Sequence, residues 1–175
     1  AKDTGFRAFA EQVADAALQT KTTSVDTLLA TKIAATGKSI NDTLNDLIAK
    51  IGENIKIRRI ALMQAADGTV TQYLHGSRIG VLIHLAANNP ELGKDLAMQI
   101  AATKPQAVDK TDLDPATVAK EKEIFFAQAQ QSGKPTAIIE KMLVGRMEKY
   151  FDEVTLLAQA FVKDPSITVK DYLGS

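Results

Sequence analysis

The sequence of 175 residues contains no cysteine, no tryptophan and no excess of either charge. Without cysteine the chain can form neither a disulfide nor a thiolate site. Its 21 basic and 21 acidic side chains argue against a nucleic-acid-binding protein, because such proteins usually carry a basic excess. No apolar run approaches the roughly 18 residues that a membrane-spanning helix requires. What remains is a chain with 45% hydrophobic residues, long enough for one domain or two small ones.

The sequence patterns that mark common reaction centres are also missing. There is no Gly-x-x-x-x-Gly-Lys-Ser/Thr loop for phosphates and no Gly-x-Ser-x-Gly turn for a nucleophilic serine. Of the two histidines, His84 lies inside an apolar run and is predicted to be structural, and the pattern predicts no metal site. His75 precedes a glycine at a predicted turn, where it either decorates the turn or projects towards a partner. The sequence therefore predicts a protein that is not an enzyme and that needs no cofactor.

Apolar spacing predicts three helices in the first part of the chain and strands after them. The helices are expected at residues 4–20, at residues 25–31 and from Ser39 to a stop at Gly52. The period then changes to two, which predicts a strand at residues 55–62 with a bulge at residues 58–59. A turn at residues 66–68 and two more strands, at residues 70–74 and 78–85, would complete an antiparallel meander.

The second half of the sequence is predicted to be mainly helical. One helix begins at Asn89-Pro90 and ends at Lys104-Pro105, and others span about residues 115–132 and 135–154. Only Gly133 and Lys134 separate the last two helices, so they are expected to form an antiparallel helical hairpin that protrudes from a sheet domain. A turn at residues 164–166 and a short helix at residues 167–173 follow. The predicted fold class is α+β.

Several short segments, taken in order and with their spacing, resemble the elongation factor Ts family. The pieces that carry the resemblance are residues 1–3 with Phe6, 50–59 (KIGENIKIRR), 75–82 (HGSRIGVL), 102–105 (ATKP), 132–135 (SGKP), 140–142 (EKM) with 145–147 (GRM), and 161–163 (FVK). The resemblance implies two small antiparallel sheets flanked by helices. It also implies that residues 1–66 form the N-terminal half of a core, residues 67–107 plus 155–175 its C-terminal half, and residues 108–154 a coiled-coil insertion.

The resemblance implies a function in polypeptide elongation. Members of the family are guanine-nucleotide exchange factors that promote GDP release from the translational GTPase elongation factor Tu, without covalent chemistry. By this resemblance the partner-binding residues are Ile51, Gly52 and His75, and the partner is elongation factor Tu in its nucleotide-free or GDP form. No direct contact with nucleic acid or a membrane is implied. The implied location is the bacterial cytoplasm, with an organellar matrix left open.

The sequence departs from the family pattern at its two ends. Family members carry Thr-Asp-Phe-Val directly before the position matched by Ala1, and a further strand after the position matched by Leu173. We therefore expect the 175 residues alone to bind elongation factor Tu weakly and to exchange nucleotide poorly. The alternative left open by the sequence is a structural or scaffolding module whose helical hairpin mediates self-association or docks on another complex. A homodimer formed through the helical hairpin is also left open.

Overall fold

The computed structural model describes residues 3–174 and contains two compact units, one ending at Asn89 and the other beginning at Pro90. The first unit contains α1 (Thr4–Thr20), α2 (Val25–Ala30), α3 (Ile40–Ile51), β1 (Thr69–His75) and β2 (Ile79–Leu85). The second contains α4 (Pro90–Thr103), a 3-10 helix (Lys110–Asp112), α5 (Pro115–Gln130), α6 (Thr136–Val154), β3 (Ala160–Phe161), β4 (Asp164–Thr168) and α7 (Val169–Gly174). Over the described residues, β1–β2 and β3–β4 form two small antiparallel sheets. The predicted α+β class is confirmed.

The helices of the first unit begin where polar side chains can cap them. Asp3 Oδ1 accepts a hydrogen bond from the Phe6 N–H at 2.8 Å, at the start of α1. At the start of α3, Ser39 Oγ accepts from the Asp42 N–H at 3.0 Å and donates to the Asp42 carboxylate at 2.6 Å. Such contacts satisfy amide groups that have no partner inside the helix. Of the motif that includes residues 1–3, Ala1 and Lys2 lie outside the described residues.

A helical core holds the first unit together. Its buried members are Phe9, Ala16, Ala17, Leu28, Ile33, Ile40, Leu44 and Leu47. Leu28 and Ile40 are 0% exposed, and burial of a side chain of this size contributes about 1.5–3 kcal/mol. The cluster therefore stabilises the relative positions of α1, α2 and α3.

The prediction of a strand at residues 55–62 is wrong. Residues 53–65 belong to no helix or strand, so the meander is reduced, over the described residues, to the β1–β2 hairpin. The alternation itself is present, because Ile55, Ile57 and Ile60 pack against the helical core while the basic side chains between them are exposed. A strand and a bulge also require a hydrogen-bonded neighbour, and no described strand pairs with this segment.

The two strands predicted on either side of His75 are confirmed. β1 and β2 pair antiparallel, from Thr69 opposite Leu85 to His75 opposite Ile79. Along most of both strands the odd-numbered side chains are half-buried and the even-numbered ones are exposed. His84 Nε2 lies 2.8 Å from the Asp67 carbonyl oxygen, so this histidine holds the turn that precedes β1, in agreement with its predicted structural role.

In the second unit, a buried amide connects α4 to the segment around β3. Gln99 is 0% exposed. Its side-chain nitrogen donates to Gln159 Oε1 at 3.2 Å and to the Ala160 carbonyl oxygen at 3.1 Å, and its oxygen accepts from the Val162 N–H at 2.8 Å. Burying an amide is costly unless it is hydrogen-bonded. These three bonds offset that cost and fix α4 against β3.

The predicted position of the turn, residues 164–166, is wrong by about two residues. Phe161 pairs with Asp164, so the chain reverses at residues 162–163 and β4 begins at Asp164. The Asp164 carboxylate accepts from the Ser166 N–H at 3.1 Å, which is the local bonding that makes Asp typical of turns. The local hydrogen bond of Asp164 is therefore present, but the pairing of β4 with β3 determines where the chain turns. The final helix is confirmed as α7, shifted to Val169–Gly174.

Both helices of the predicted hairpin are present, and they pack against each other. α5 ends at Gln130, slightly earlier than predicted, and α6 buries Ile139, Leu143, Met147 and Tyr150, which follow one another at a spacing of three or four residues. The rings of Phe125 and Tyr150 meet edge to face, with centroids 6.2 Å apart. Whether the hairpin protrudes stays a prediction. None of the helices over residues 3–174 is both long and apolar enough to cross a membrane.

We predict that Leu28→Ala lowers the free energy of unfolding by about 2–5 kcal/mol, because it leaves a cavity in a fully buried site. Leu18→Ala on α1 is the matched control, since Leu18 is 62% exposed and surface changes usually stay within about 0.5 kcal/mol. Urea denaturation of both variants measures the difference. Equal losses of unfolding free energy in the two variants would contradict the assignment of Leu28 to the buried core.

Candidate partner-binding site

The end of α3 presents the first pair of predicted contact residues. Ile51 is half-buried and packs against the helical core. Gly52 follows with φ 77°, and its N–H donates to the Ile48 carbonyl oxygen at 2.8 Å. No atom lies within 4 Å of a methyl carbon placed on Gly52. The glycine is therefore required by the left-handed backbone rather than by lack of space, and its open side faces solvent.

A surface cavity of about 650 Å³ adjoins this helix end. It is lined by Asp3, Phe6, Ile51, Glu53, Asn54, Ile55, Lys56 and Arg58. Two acidic and two basic side chains thus surround apolar ones. The cavity therefore offers both apolar and charged groups beside the predicted contact residue Ile51.

His75 ends β1 and is exposed at the hairpin turn. Its Nδ1 lies 3.2 Å from the Tyr73 hydroxyl oxygen, and the two ring centroids are 6.3 Å apart. Which of the two atoms donates depends on the histidine tautomer. Tyr73 therefore restricts the imidazole ring without burying it, so the ring remains accessible to a partner.

A groove of about 690 Å³ runs between the hairpin turn and α1. The β1–β2 hairpin contributes Leu74, Gly76, Ser77, Arg78, Ile79 and Gly80, and the helix contributes Phe6, Arg7, Ala10 and Glu11. Leu74 is 68% exposed. A methyl carbon placed on Gly80, opposite Leu74, would lie 3.3 Å from Leu74 Cδ2. The small glycine therefore makes room for the exposed leucine.

Phe6 connects the two predicted segments, because it lines both the cavity beside Ile51 and the groove at the hairpin turn. Gly5 directly precedes Phe6 in the first turn of α1, where an added methyl carbon would lie 3.1 Å from Asp3 Oδ1 and in ordinary contact, 3.6 Å, with Leu47 Cδ1. The structure thus places Ile51 and the turn after His75 on two sides of the start of α1. Their role as partner contacts stays a prediction.

A family model described as elongation factor TS matches the chain over residues 1–175. The chain belongs to the elongation factor Ts family. Similar relatives include elongation factor Ts of Methylococcus capsulatus, 49% identical over 175 residues, and that of Halorhodospira halophila, 48% identical over 168 residues. They also include the protein of Legionella pneumophila strain Paris, 45% identical over 173 residues.

These alignments cover 96–100% of this chain and 57–59% of each relative. The chain therefore spans about three fifths of the length of these elongation factor Ts relatives.

Sequence reasoning missed the exposed apolar side chains of the β1–β2 sheet in this elongation factor Ts chain. Val70, Leu74 and Leu82 are 38%, 68% and 48% exposed, and all three lie at even-numbered positions of the β1–β2 sheet. The signal was available, because apolar residues occur at both odd and even positions of these strands. A sheet with one solvated face usually carries polar residues there.

The described residues 3–174 contain no group of three or more His, Cys, Asp or Glu side chains placed to hold a metal ion. The histidines have separate surroundings, since His75 contacts Tyr73 and His84 contacts the Asp67 carbonyl group. The arrangement offers a contact surface of apolar, aromatic and mixed charged groups.

We predict that Gly68→Ala destabilises the hairpin of this elongation factor Ts chain far more than Gly76→Ala. Both glycines have positive φ, 80° and 59°, so each alanine variant should lose about 1 kcal/mol of unfolding free energy. Only at Gly68 would the methyl carbon also lie 1.9 Å from a backbone oxygen, that of Leu85, whereas Gly76 has open space. Urea denaturation compares the variants, and losses of similar size would contradict this hairpin geometry.

Proposed function

We propose that this chain forms the part of an elongation factor Ts that binds the translational GTPase elongation factor Tu and promotes release of its GDP. The observation that carries the proposal is the match of the family model to all 175 residues. The names of the relatives support the same reading.

The surface around the start of α1 supports binding to a protein partner. An exposed apolar side chain such as Leu74, which lines the groove beside α1, stabilises a complex when a partner covers it. Phe6 and Ile51 adjoin this surface and are supported by the helical core. Because these groups are held by a packed scaffold, little conformational entropy is lost on binding.

We propose that exchange arises from a difference in affinity. If the chain binds the nucleotide-free GTPase more tightly than the GDP form, GDP and the chain must weaken each other's binding by the same factor. A ligand shifts a conformational equilibrium only by its differential affinity for the two states. No covalent step and no cofactor are needed, so the chain acts as a binding protein rather than as an enzyme.

The contacts at the base of α5 and α6 support the proposed three-part division. The Gln106 N–H donates to the Val154 carbonyl oxygen at 2.8 Å, and the Leu156 N–H donates to the Ala107 carbonyl oxygen at 2.9 Å. These bonds join the two ends of residues 108–154. We therefore propose that this segment is an insertion into a core made of residues 1–66 and of residues 67–107 plus 155–175. We place the protein in the bacterial cytoplasm, where elongation takes place.

We predict that the chain binds nucleotide-free elongation factor Tu at least about tenfold more tightly than the GDP form, within the usual range of coupling between two sites. Isothermal titration calorimetry of the 175-residue chain against both forms measures the ratio. Adding GDP with Mg²⁺ should dissociate the complex. Equal affinities would exclude the exchange mechanism, and a GDP-insensitive association would favour the structural-module alternative.

We predict that His75→Ala weakens binding to nucleotide-free elongation factor Tu about tenfold, the loss expected for an important interface residue. His84→Ala is the matched control, because His84 is also exposed and also makes one hydrogen bond, but lies five residue pairs away along the β1–β2 sheet. Calorimetry gives the affinity, and release of fluorescent GDP gives the stimulated rate relative to the parent chain. The same loss of affinity in both variants would show that His75 is not part of the contact surface.

A further inference from the structure

A segment rich in exposed basic side chains spans the end of α3 and the chain that follows it. Residues 50–59, which we call the basic segment, include Lys50, Lys56, Arg58 and Arg59, and all four are exposed. Glu53 is the single acidic residue of the segment. Over residues 3–174, the ion pairs that the structure describes involve none of these four basic residues. The segment therefore presents unpaired positive charge to solvent.

The helical core fixes the position of the basic segment. Ile57 and Ile60 pack against this core, and between them lie the two adjacent exposed residues Arg58 and Arg59. The backbone from Lys56 to Arg59 spans at most about 10 Å, which is about one Debye length at physiological ionic strength. The three charges therefore act together on a partner.

We propose that the basic segment binds an acidic surface of the GTPase partner, an inference that rests on the proposed function. Lys56 and Arg58 line the same cavity as the predicted contact residue Ile51, so a partner that covers Ile51 also covers these two charges. A charge that becomes buried is costly unless it is paired and hydrogen-bonded. A partner that fits this cavity must therefore place carboxylate groups opposite Lys56 and Arg58.

The surroundings of the basic segment favour the carboxylates of a protein over the phosphates of a nucleic acid. A guanidinium group pairs with either kind of anion. However, Asp3 and Glu53 line the same cavity, and they would repel a continuous phosphate backbone. A protein surface can instead place neutral or basic residues opposite these two groups. The equal numbers of acidic and basic side chains in the chain also argue against binding to nucleic acid.

The decisive experiment replaces both arginines, by Arg58→Gln with Arg59→Gln, in the 175-residue chain. Complementary charges at an interface act strongly on the rate of association. Stopped-flow association with nucleotide-free elongation factor Tu at low salt should therefore be slowed about tenfold, within the range that electrostatic steering supplies. At about 1 M salt, where the Debye length falls to about 3 Å, the variant and the parent chain should associate at similar rates. The charge-conserving pair Arg58→Lys with Arg59→Lys should keep most of the parent rate at low salt.

The matched control removes two positive charges elsewhere in the same unit, by Lys21→Gln with Lys32→Gln. Both lysines are exposed and lie outside the basic segment. Lys21 follows the end of α1 opposite to Phe6, and a helix of this length measures about 25 Å, well beyond a Debye length. Because this variant has the same net charge as the glutamine variant of the arginines, it separates a local effect from that of overall charge. It should slow association less than about twofold.

The outcomes separate this proposal from the proposed exchange function. If the glutamine variant of the arginines associates at the parent rate at low salt, the proposal is overturned, while a parent preference for the nucleotide-free GTPase would still support exchange. A parent chain that binds neither form of the GTPase would overturn both. Single-stranded RNA that binds the parent chain at physiological salt but not this variant, with GTPase association unchanged, would make the segment a nucleic-acid surface and would also overturn the proposal.

Discussion

The packing of α1 against α3 is the contact on which the candidate site depends. The first turn of α1 passes close to α3, since a methyl carbon placed on Gly5 would lie in ordinary van der Waals contact, 3.6 Å, with Leu47 Cδ1. The buried cluster that includes Phe9 and Leu44 maintains this contact. With α1 fixed in this way, Phe6 lies between the end of α3 and the turn of the β1–β2 hairpin. Two segments separated by more than twenty residues therefore contribute to one surface.

A surface of this kind suits a protein that acts by differential binding. Such a protein needs no nucleophile or general base, but it must hold its contact groups in one geometry, so that binding energy changes the partner rather than ordering the factor itself. The first unit meets this requirement in two ways. Capped helices and a buried core hold Phe6 and Ile51, and a paired hairpin holds the turn beside His75.

The second unit is held together by polar contacts between distant parts of the sequence. Gln99 on α4 bonds to residues 159–162, and Asp95 accepts hydrogen bonds from Lys163 at 2.5 Å and from Tyr172 at 3.0 Å. The hydrogen bond with Asp95 raises the pKa of Lys163. Fully satisfied networks of this kind favour one arrangement over alternatives. They also join the chain segments that α5 and α6 separate in sequence.

The sequence predicted those features that depend on neighbouring residues. The helix predicted from Ser39 to Gly52 has its cap at Ser39 and its end at Gly52, because each of these signals acts within one or two helical turns. The resemblance to the family, rather than any local pattern, gave Ile51, Gly52 and His75 as predicted partner-binding residues. Only the folded structure shows that Phe6 and Leu74 line surface cavities next to these segments.

Tertiary structure decided the features that depend on residues far apart in the sequence. Residues 55–62 alternate like a strand and bury their isoleucines, yet form no strand, because a ladder needs a neighbouring backbone that a periodic pattern cannot supply. Asp164 has the bonding of a turn residue, but its pairing with Phe161 moved the reversal of the chain to residues 162–163. Side-chain periodicity is a local property, whereas hydrogen-bond partners and shared surfaces are set by the path of the whole chain.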